Sequence, residues 1–413
     1  MVERGGEFID NLQKTMLGYA RQFKLTLEDV KKQPGEIFYY FNGQRYPESI
    51  IVDEYRNFVA AMRADLGTLS KAPTADNHKN ADVVLDNMNL LDYLETRKAG
   101  DVIKAAITAT YQAEFGVELH EQSCLNFLLF IHADKRSKFT PFGIFSDERY
   151  HIVEGNDKVV QGLGNELKGQ INLGMRLVRV RKNSTNRIEL TFNNGSKTTT
   201  VVYDAVVLAI PFTVLREVEL DASLEIPAWK RDAIALLSYG TNAKMMVGFN
   251  SRPWVSQGSN GSSYSNLLNH QCTWESNPIN ATNARAVLTD YSSGNRGTRL
   301  NPNLVQKEAE RFLGDLNLVY SGAENAASRN SGNFRVHLEH WPSNPLTKGS
   351  YAFYKPGQFT TIAGNEGKPI GNLHFAGEHA NSFYEWQGFM EGATLSGIQA
   401  AKEILQNLKV GAV

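Results

Sequence analysis

The chain has 413 residues with 43 basic and 44 acidic side chains, a formal charge of −1 that argues against a nucleic-acid partner or a charged membrane surface. Its 42% hydrophobic content is that of a folded protein with room for more than one core, and no apolar run approaches the ~20 residues that span a bilayer, so no membrane anchor is expected. Two cysteines, Cys124 and Cys272, are too few for a disulfide framework or a thiolate metal site, so no metal and a cytoplasmic location are expected.

The opening Glu3-Arg-Gly-Gly-Glu-Phe-Ile-Asp10 reads as a strand end running into a glycine turn, after which Leu12, Met16, Tyr19 and Phe23 recur at helical spacing. Residues 37–46 form a hairpin pattern turning at Asn42-Gly43. From 48 to about 131 the pattern is helical, clearest at 90–95 and in the alanine-rich stretch 102–115, and Pro141 interrupts it. Strands follow: 188–192, a turn at Asn194-Gly195, and a return strand ending in the apolar run 205–211, which reads as doubly buried. A helix at 229–237 leads to a strand at 241–249, where alternation sets Lys244 and Met246 on one face and Met245, Val247 and Phe249 on the other. Residues 251–303, rich in Ser, Asn and Gly, read as strands joined by long loops. The last helix, 388–408, places Thr394, Ile398, Ala401 and Leu405 on one stripe.

Three constellations carry chemistry. In Phe375-Ala-Gly-Glu378 a glycine after a buried strand lets backbone approach a ligand, and the carboxylate beyond it can accept hydrogen bonds from hydroxyls; alone, the tetrapeptide is as well read as an ordinary turn. Gly388-Phe-Met-Glu-Gly-Ala393 opens a helix whose unpaired N–H groups and partial positive charge suit an electron-rich ligand. Lys244 sits among apolar residues, either as an edge lysine with its amine in water or as a buried cation. Trp341 precedes Ser350-Tyr351 by nine residues, and aromatics so placed are ordinarily core.

Taken together, Asn372-Leu-His-Phe-Ala-Gly-Glu-His379 and Trp386-Gln-Gly-Phe-Met-Glu-Gly-Ala393 closely resemble the C-terminal flavin-binding signature of the FAD-dependent monoamine oxidase family. The resemblance implies an α/β (mixed α+β) two-domain fold, with an incomplete Rossmann-type FAD domain (1–27, 146–232 and 343–413) interleaved with a substrate domain (28–145 and 233–342). By the same resemblance Lys244 holds a water against the reactive flavin nitrogen. Tyr351 and Phe389 are the two walls of an aromatic clamp, and Trp341 shares the family's spacing to Tyr351. Gly377 and Glu378 contact the ribityl or pyrophosphate part, while Gly388 opens the helix whose Met390 backbone meets the isoalloxazine. Gly5, Gly6 and Glu7 resemble the family's glycine turn near the flavin, Leu177 falls where a strand residue brackets adenine, and Ala209 and Pro211 resemble the strand end lining the dinucleotide.

Ser350 stands where members with covalent flavin use a cysteine, so the implied FAD is non-covalent. The implied reaction is oxidation of an amine to an imine, with dioxygen as acceptor and hydrogen peroxide as product. An L-amino acid oxidase is the alternative and requires an arginine for the substrate carboxylate. The resemblance is compatible with a homodimer. No Gly-x-Gly-x-x-Gly occurs at the start of the chain. The expectation drawn from this is a truncated form of a longer enzyme, one chain of a split flavoenzyme or a non-catalytic fragment, with the strand near 205–210 left with an unpaired edge.

Overall fold

The computed structural model describes residues 2–131, 133, 138–143, 146–276, 284–381 and 386–410. Strand and helix are mixed throughout. The largest sheet has seven strands in the order Val336–His340, Ala243–Phe249, Ala286–Ser292, His270–Glu275, Ser259–Leu267, Glu36–Phe41 and Gln44–Tyr46. Neighbours run antiparallel except where Ser259–Leu267 lies parallel to Glu36–Phe41. One face is apolar: Met245, Val247, Phe249 and Leu288 pack on Phe312, Leu313 and Leu316 of the helix Val305–Val319. Strand alternation therefore turns Lys244 to the other face. Lys244 sits in an interior strand, opposite Tyr291 on one side and Glu339 on the other, not at an edge.

The helical block resolves into several helices, chiefly Glu48–Leu66, Leu90–Thr96, Asp101–Phe115 and Cys124–Ile131. Their shared core includes Phe58, Tyr93, Tyr111 and Phe127; Phe58–Tyr93 and Tyr111–Phe127 meet edge-on, Tyr93–Phe127 tilted and Phe58–Phe127 stacked. Beyond it lies a four-stranded sheet ordered Thr198–Tyr203, Ile188–Asn193, Arg176–Lys182 and Glu219–Leu220. The first helix, Lys14–Gln22, packs against the last, Met390–Val410. Glu391 joins them: its carboxylate accepts from the backbone N–H groups of Thr15 (2.9 Å) and Met16 (2.8 Å), capping the first helix.

Several sequence expectations change here. The return strand of the 188–203 hairpin ends at Tyr203, and Val206–Leu208 belongs to a different pairing, parallel to Leu373–Phe375. Val206 and Leu208 are buried on one face while Val207, on the other, is 38% exposed, and among the described residues the strand is paired on one side only; the run is half covered, not doubly buried. The last helix buries Glu391, Gly392, Ser396 and Ala400, leaving Leu405 58% exposed. Small residues let this helix lie close to its neighbours: a Cβ at 392 would collide with the Trp386 carbonyl oxygen. Leu12 precedes the first helix and is 41% exposed. Within 251–276 the strands meet at a two-residue turn, Leu268-Asn269, rather than across a long loop. Among the described residues no helix is long and apolar enough to cross a membrane.

Candidate functional site

A cavity of about 360 Å³ opens on the polar-bearing face of the large sheet. Register builds its floor: Lys244 faces Tyr291, which faces Cys272, and Trp274 lies two residues along on the same side, so the ammonium, phenol and indole share one face. Lys244 Nζ stands 5.2 Å from the Trp274 ring centroid and 5.9 Å from that of Tyr291. Its hydrogen bonds go to Gly5 O (2.8 Å), Glu3 O (3.4 Å) and Glu7 Oε2 (2.9 Å), the last a buried ion pair. The glycine turn is thus hung on the lysine. Asn156 holds the turn from behind, donating Nδ2 to the carbonyls of Gly6 (2.8 Å) and Glu7 (3.0 Å).

The opposite wall comes from the far end of the chain. Gly388, at φ +87°, donates its N–H to Glu378 Oε2 at 2.8 Å, and the same carboxylate accepts from Ala352 N–H at 3.2 Å. The Gly388 N–H is therefore spoken for, and the helix start turns to the cavity a glycine and the Met390 side chain. Burial pushes the Glu378 carboxyl up to about 7, against the pull of those two N–H groups. The Met390 side chain lies over Gly6, where an added Cβ would approach within 3.4 Å, and Trp341 lies over Gly5 in the same way. Trp341 Nε1 donates to Arg4 O at 3.0 Å. Tyr351 Oη donates to Ala113 O at 3.0 Å and lies 3.0 Å from Tyr291 Oη, while the Phe389 ring rests against Phe130 and Trp386. Ser350 Oγ donates to Asn242 Oδ1 at 2.6 Å on the cavity wall.

The fold thus brings together Lys244, Tyr351, Phe389, Trp341, Gly5, Gly6, Glu7, Glu378, Gly388 and Met390, from both ends and the middle of the chain. It leaves four named residues outside this cavity. Leu177 pairs with Phe192 in the four-stranded sheet, and Ala209 and Pro211 follow the strand Val206–Leu208. Gly377, at φ +127°, donates its N–H to Ser396 Oγ and backs onto the His379 ring.

Sequence reasoning missed Trp274, Tyr291, Asp10, Glu114 and Glu148, all of which line the cavity. Glu114 had a signal: it follows Ile103, Ile107, Thr110 and Tyr111 at helical spacing, on the stripe that is buried. The tryptophan and tyrosine could be found only through strand register. Burial raises the carboxyls of Asp10 (to about 7), Glu148 and, most strongly, Glu114 above the ordinary range. Asp10 accepts from Gln13 Nε2, Ser146 Oγ and Glu148 N–H, whereas the Glu114 and Glu148 carboxyls have no hydrogen-bond or ion-pair partner among the described residues.

Comparison with known proteins gives the family and the fold. A probable polyamine oxidase 4 of Arabidopsis thaliana is 26% identical over 251 residues, covering 61% of this chain and 47% of that protein. A putative L-amino-acid oxidase, YobN, of Bacillus subtilis (strain 168) is 25% identical over 62% of this chain and 52% of its own length. The chain therefore spans about half the length of these curated relatives. A flavin-containing amine oxidase of Danio rerio is 23% identical over 98% of this chain and 76% of that protein. Among solved structures, putrescine oxidase bound to putrescine superposes with a TM-score of 0.80 at 17% identity, over 97% of this chain and 88% of that one. Cyclohexylamine oxidase from Brevibacterium oxydans IH-35A gives 0.76 at 18%, over 99% and 88%. At such identities the superpositions establish the fold. The family model for flavin containing amine oxidoreductases matches residues 1–405, and the chain belongs to that family.

Proposed function

We propose that the chain serves the FAD-dependent oxidation of an amine to an imine, with dioxygen as final acceptor and hydrogen peroxide as product. The observation that carries the reading is the cavity wall of glycine backbone at Gly5, Gly6 and Gly388, set against a buried ammonium at Lys244. A planar ring fits there. Gly5 and Gly6 seat the Trp341 and Met390 side chains close over the turn, the ring would pack against those side chains, and the Trp274 indole N–H on the same cavity has no acceptor among the described residues. When bound, the flavin supplies the two-electron acceptor for the substrate carbon–hydrogen bond.

The chain's own residues provide the rest. Lys244, its three N–H groups directed at Glu7 and the carbonyls of Gly5 and Glu3, holds the glycine turn in place and sets a fixed positive charge beside the cavity that needs no reorganisation during reaction. Tyr351, Phe389, Tyr291 and Trp274 give an aromatic enclosure that favours a desolvated amine. Glu378 holds the Gly388 turn to Ala352, keeping the glycine wall in place. Ser350 carries a hydroxyl where attachment would need a thiolate, and neither Cys124 nor Cys272 lines this cavity, which supports a non-covalent flavin. Residues 1–27 and 343–413 supply the glycine wall and 233–342 the lysine, in keeping with the interleaved domains proposed from the resemblance.

Charge favours an amine over an amino acid. Among the described residues the cavity is lined by five carboxyl side chains (Glu7, Asp10, Glu114, Glu148 and Glu378) and no arginine, so a substrate carboxylate finds no guanidinium. The test is direct. The purified protein supplied with FAD is yellow, releases free flavin on denaturation and forms peroxide with amines but not with α-amino acids; Lys244→Met slows flavin reduction or reoxidation at least tenfold, roughly one lost hydrogen bond to a charged group. A folded but colourless protein would overturn the proposal and leave a non-catalytic chain.

A further inference from the structure

Gln387 lines the larger cavity beside the glycine wall. It precedes Gly388, whose Cβ position lies 3.6 Å from the Tyr351 ring, and stands two residues before Phe389, so its side chain belongs to the rim of the aromatic enclosure. Gln387 Nε2 donates to Tyr354 Oη at 3.0 Å, and the Tyr354 hydroxyl donates to Glu366 Oε1 at 2.9 Å.

The order of donors in this chain fixes the amide. A phenol carries a single hydrogen, and Tyr354 gives it to the Glu366 carboxylate, so Tyr354 Oη can only accept from Gln387. The nitrogen end of the carboxamide is thereby tied to Tyr354, and Oε1 is turned away from it. Tyr354 is itself immobilised: it is 1% exposed, its ring lies 4.4 Å from that of Phe359 between centroids, and its carbonyl accepts from Asn126 Nδ2 at 2.6 Å. Gln387 Oε1 has no donor among the described residues, yet it is not sealed away as an orphaned buried atom would be.

From this arrangement we infer that Gln387 Oε1 accepts an N–H of the substrate amine and that Tyr354 is the positioning residue that aims it, so that the site favours primary and secondary amines over tertiary ones. The inference rests on the amine reading above and deepens it.

Other groups on the cavity suit the task less. Lys244 has no lone pair to offer as an ammonium, and both Glu378 oxygens accept from backbone, Oε1 from Ala352 and Oε2 from Gly388. An ionised carboxylate beside the amine also favours its protonated form, whose lone pair is committed to the extra proton. A neutral carbonyl oxygen takes the N–H without that bias and leaves the nitrogen lone pair free for the oxidation. A glutamine free to rotate would lose rotamer entropy on making such a bond; Tyr354 has already removed that freedom.

The experiment uses the FAD-supplied protein with N-methylbenzylamine and N,N-dimethylbenzylamine, which differ by one N–H, each corrected for its free-base fraction. Two readouts are taken: kcat/KM for peroxide formation, and affinity by calorimetry on the reduced, oxygen-free protein, where no turnover occurs. The secondary amine is expected to exceed the tertiary by about threefold to tenfold, the worth of one neutral hydrogen bond. Gln387→Met removes the acceptor at similar volume and should bring the ratio towards one. Tyr354→Phe keeps the glutamine but frees its amide, and should at least halve the ratio; a merely structural tyrosine would weaken both amines equally and leave the ratio unchanged. A ratio that persists in Gln387→Met, or in Tyr354→Phe should Gln387→Met fold poorly, would overturn the assignment, as would equal values in the unaltered protein, and both results leave the amine reading intact. Absence of peroxide from every amine would overturn the amine reading, and the calorimetric ratio would then decide alone on Gln387; binding of neither probe would overturn its role as well.

Discussion

Lys244 and Glu7 are buried together, their side chains 5% and 3% exposed, so neither charge has water to fall back on. Removing one partner of such a pair strands the other, a loss of about 3–5 kcal/mol, whereas removing both is far milder. Lys244→Met is therefore expected to lower unfolding stability by about that amount in urea titrations, and adding Glu7→Gln should recover at least half of it. A single variant as stable as the unaltered protein would mean the ion pair is not formed. Gly377 makes a second residue-scale case. It combines φ +127° with a Cβ position 2.5 Å from His379 Cε1, so Gly377→Ala should cost upwards of about 2 kcal/mol in the same assay. At this scale the sequence was legible where a residue's role follows from its immediate neighbours. Alternation alone assigned Lys244 its face. That Trp274 and Tyr291 flank it depended on which strands pair and in what register, information spread over about fifty residues.

Elements differ in how much of their structure is local. The hairpin at Glu36–Phe41 and Gln44–Tyr46 turns on Asn42 (φ 53°) and Gly43 (φ 82°), both left-handed, as an Asn-Gly two-residue turn requires, and it was readable from those two residues. A Cβ at 43 meets nothing within 4 Å, so Gly43→Ala should cost only the backbone term, about 1 kcal/mol. Gly392→Ala, whose Cβ would strike the Trp386 carbonyl, should cost clearly more; the contrast between their thermal midpoints checks both assignments. The face of the final helix was misread for the same reason that Gly392 matters. Its buried side is made of Gly392, Ser396 and Ala400, which hydropathy does not register as a stripe, while the more apolar Leu405 faces solvent. Val206–Leu208 was misread because its cover comes from Leu373–Phe375, over a hundred and fifty residues later, and on one side only.

Across the whole molecule, buried ionisable groups give stability a definite pH signature. Below neutrality their effects oppose. Asp10 and Glu378, raised to about 7 by burial, bind protons in the folded state that the unfolded chain gives up above about pH 4, so their contribution falls as pH rises to 7. His270 and His379, lowered to about 3 by burial, work in the other direction over much of the same range. Above neutrality Lys230 stands out. Fully buried against the Phe375 ring and donating to Glu366 O at 2.8 Å, it is lowered from 10.5 to about 7, chiefly by burial. Between those values the unfolded chain holds the extra proton, so this group's contribution to stability rises with pH, by up to about 1.4 kcal/mol per unit. Denaturant titrations at several pH values from 7 to 10 should show Lys230→Met losing that rise relative to the unaltered chain; parallel pH dependences would refute the assignment.

The cap that Glu391 places on Thr15 and Met16 spans 376 positions of sequence. During synthesis the opening helix emerges from the ribosome long before its acceptor exists, and at about 5–20 residues per second the wait is roughly 20–75 s. Over that interval the segment bearing Gly5 and Gly6 has neither the Met390 side chain nor this carboxylate to rest on, so this wall of the cavity is assembled only after the helix Met390–Val410 has been made.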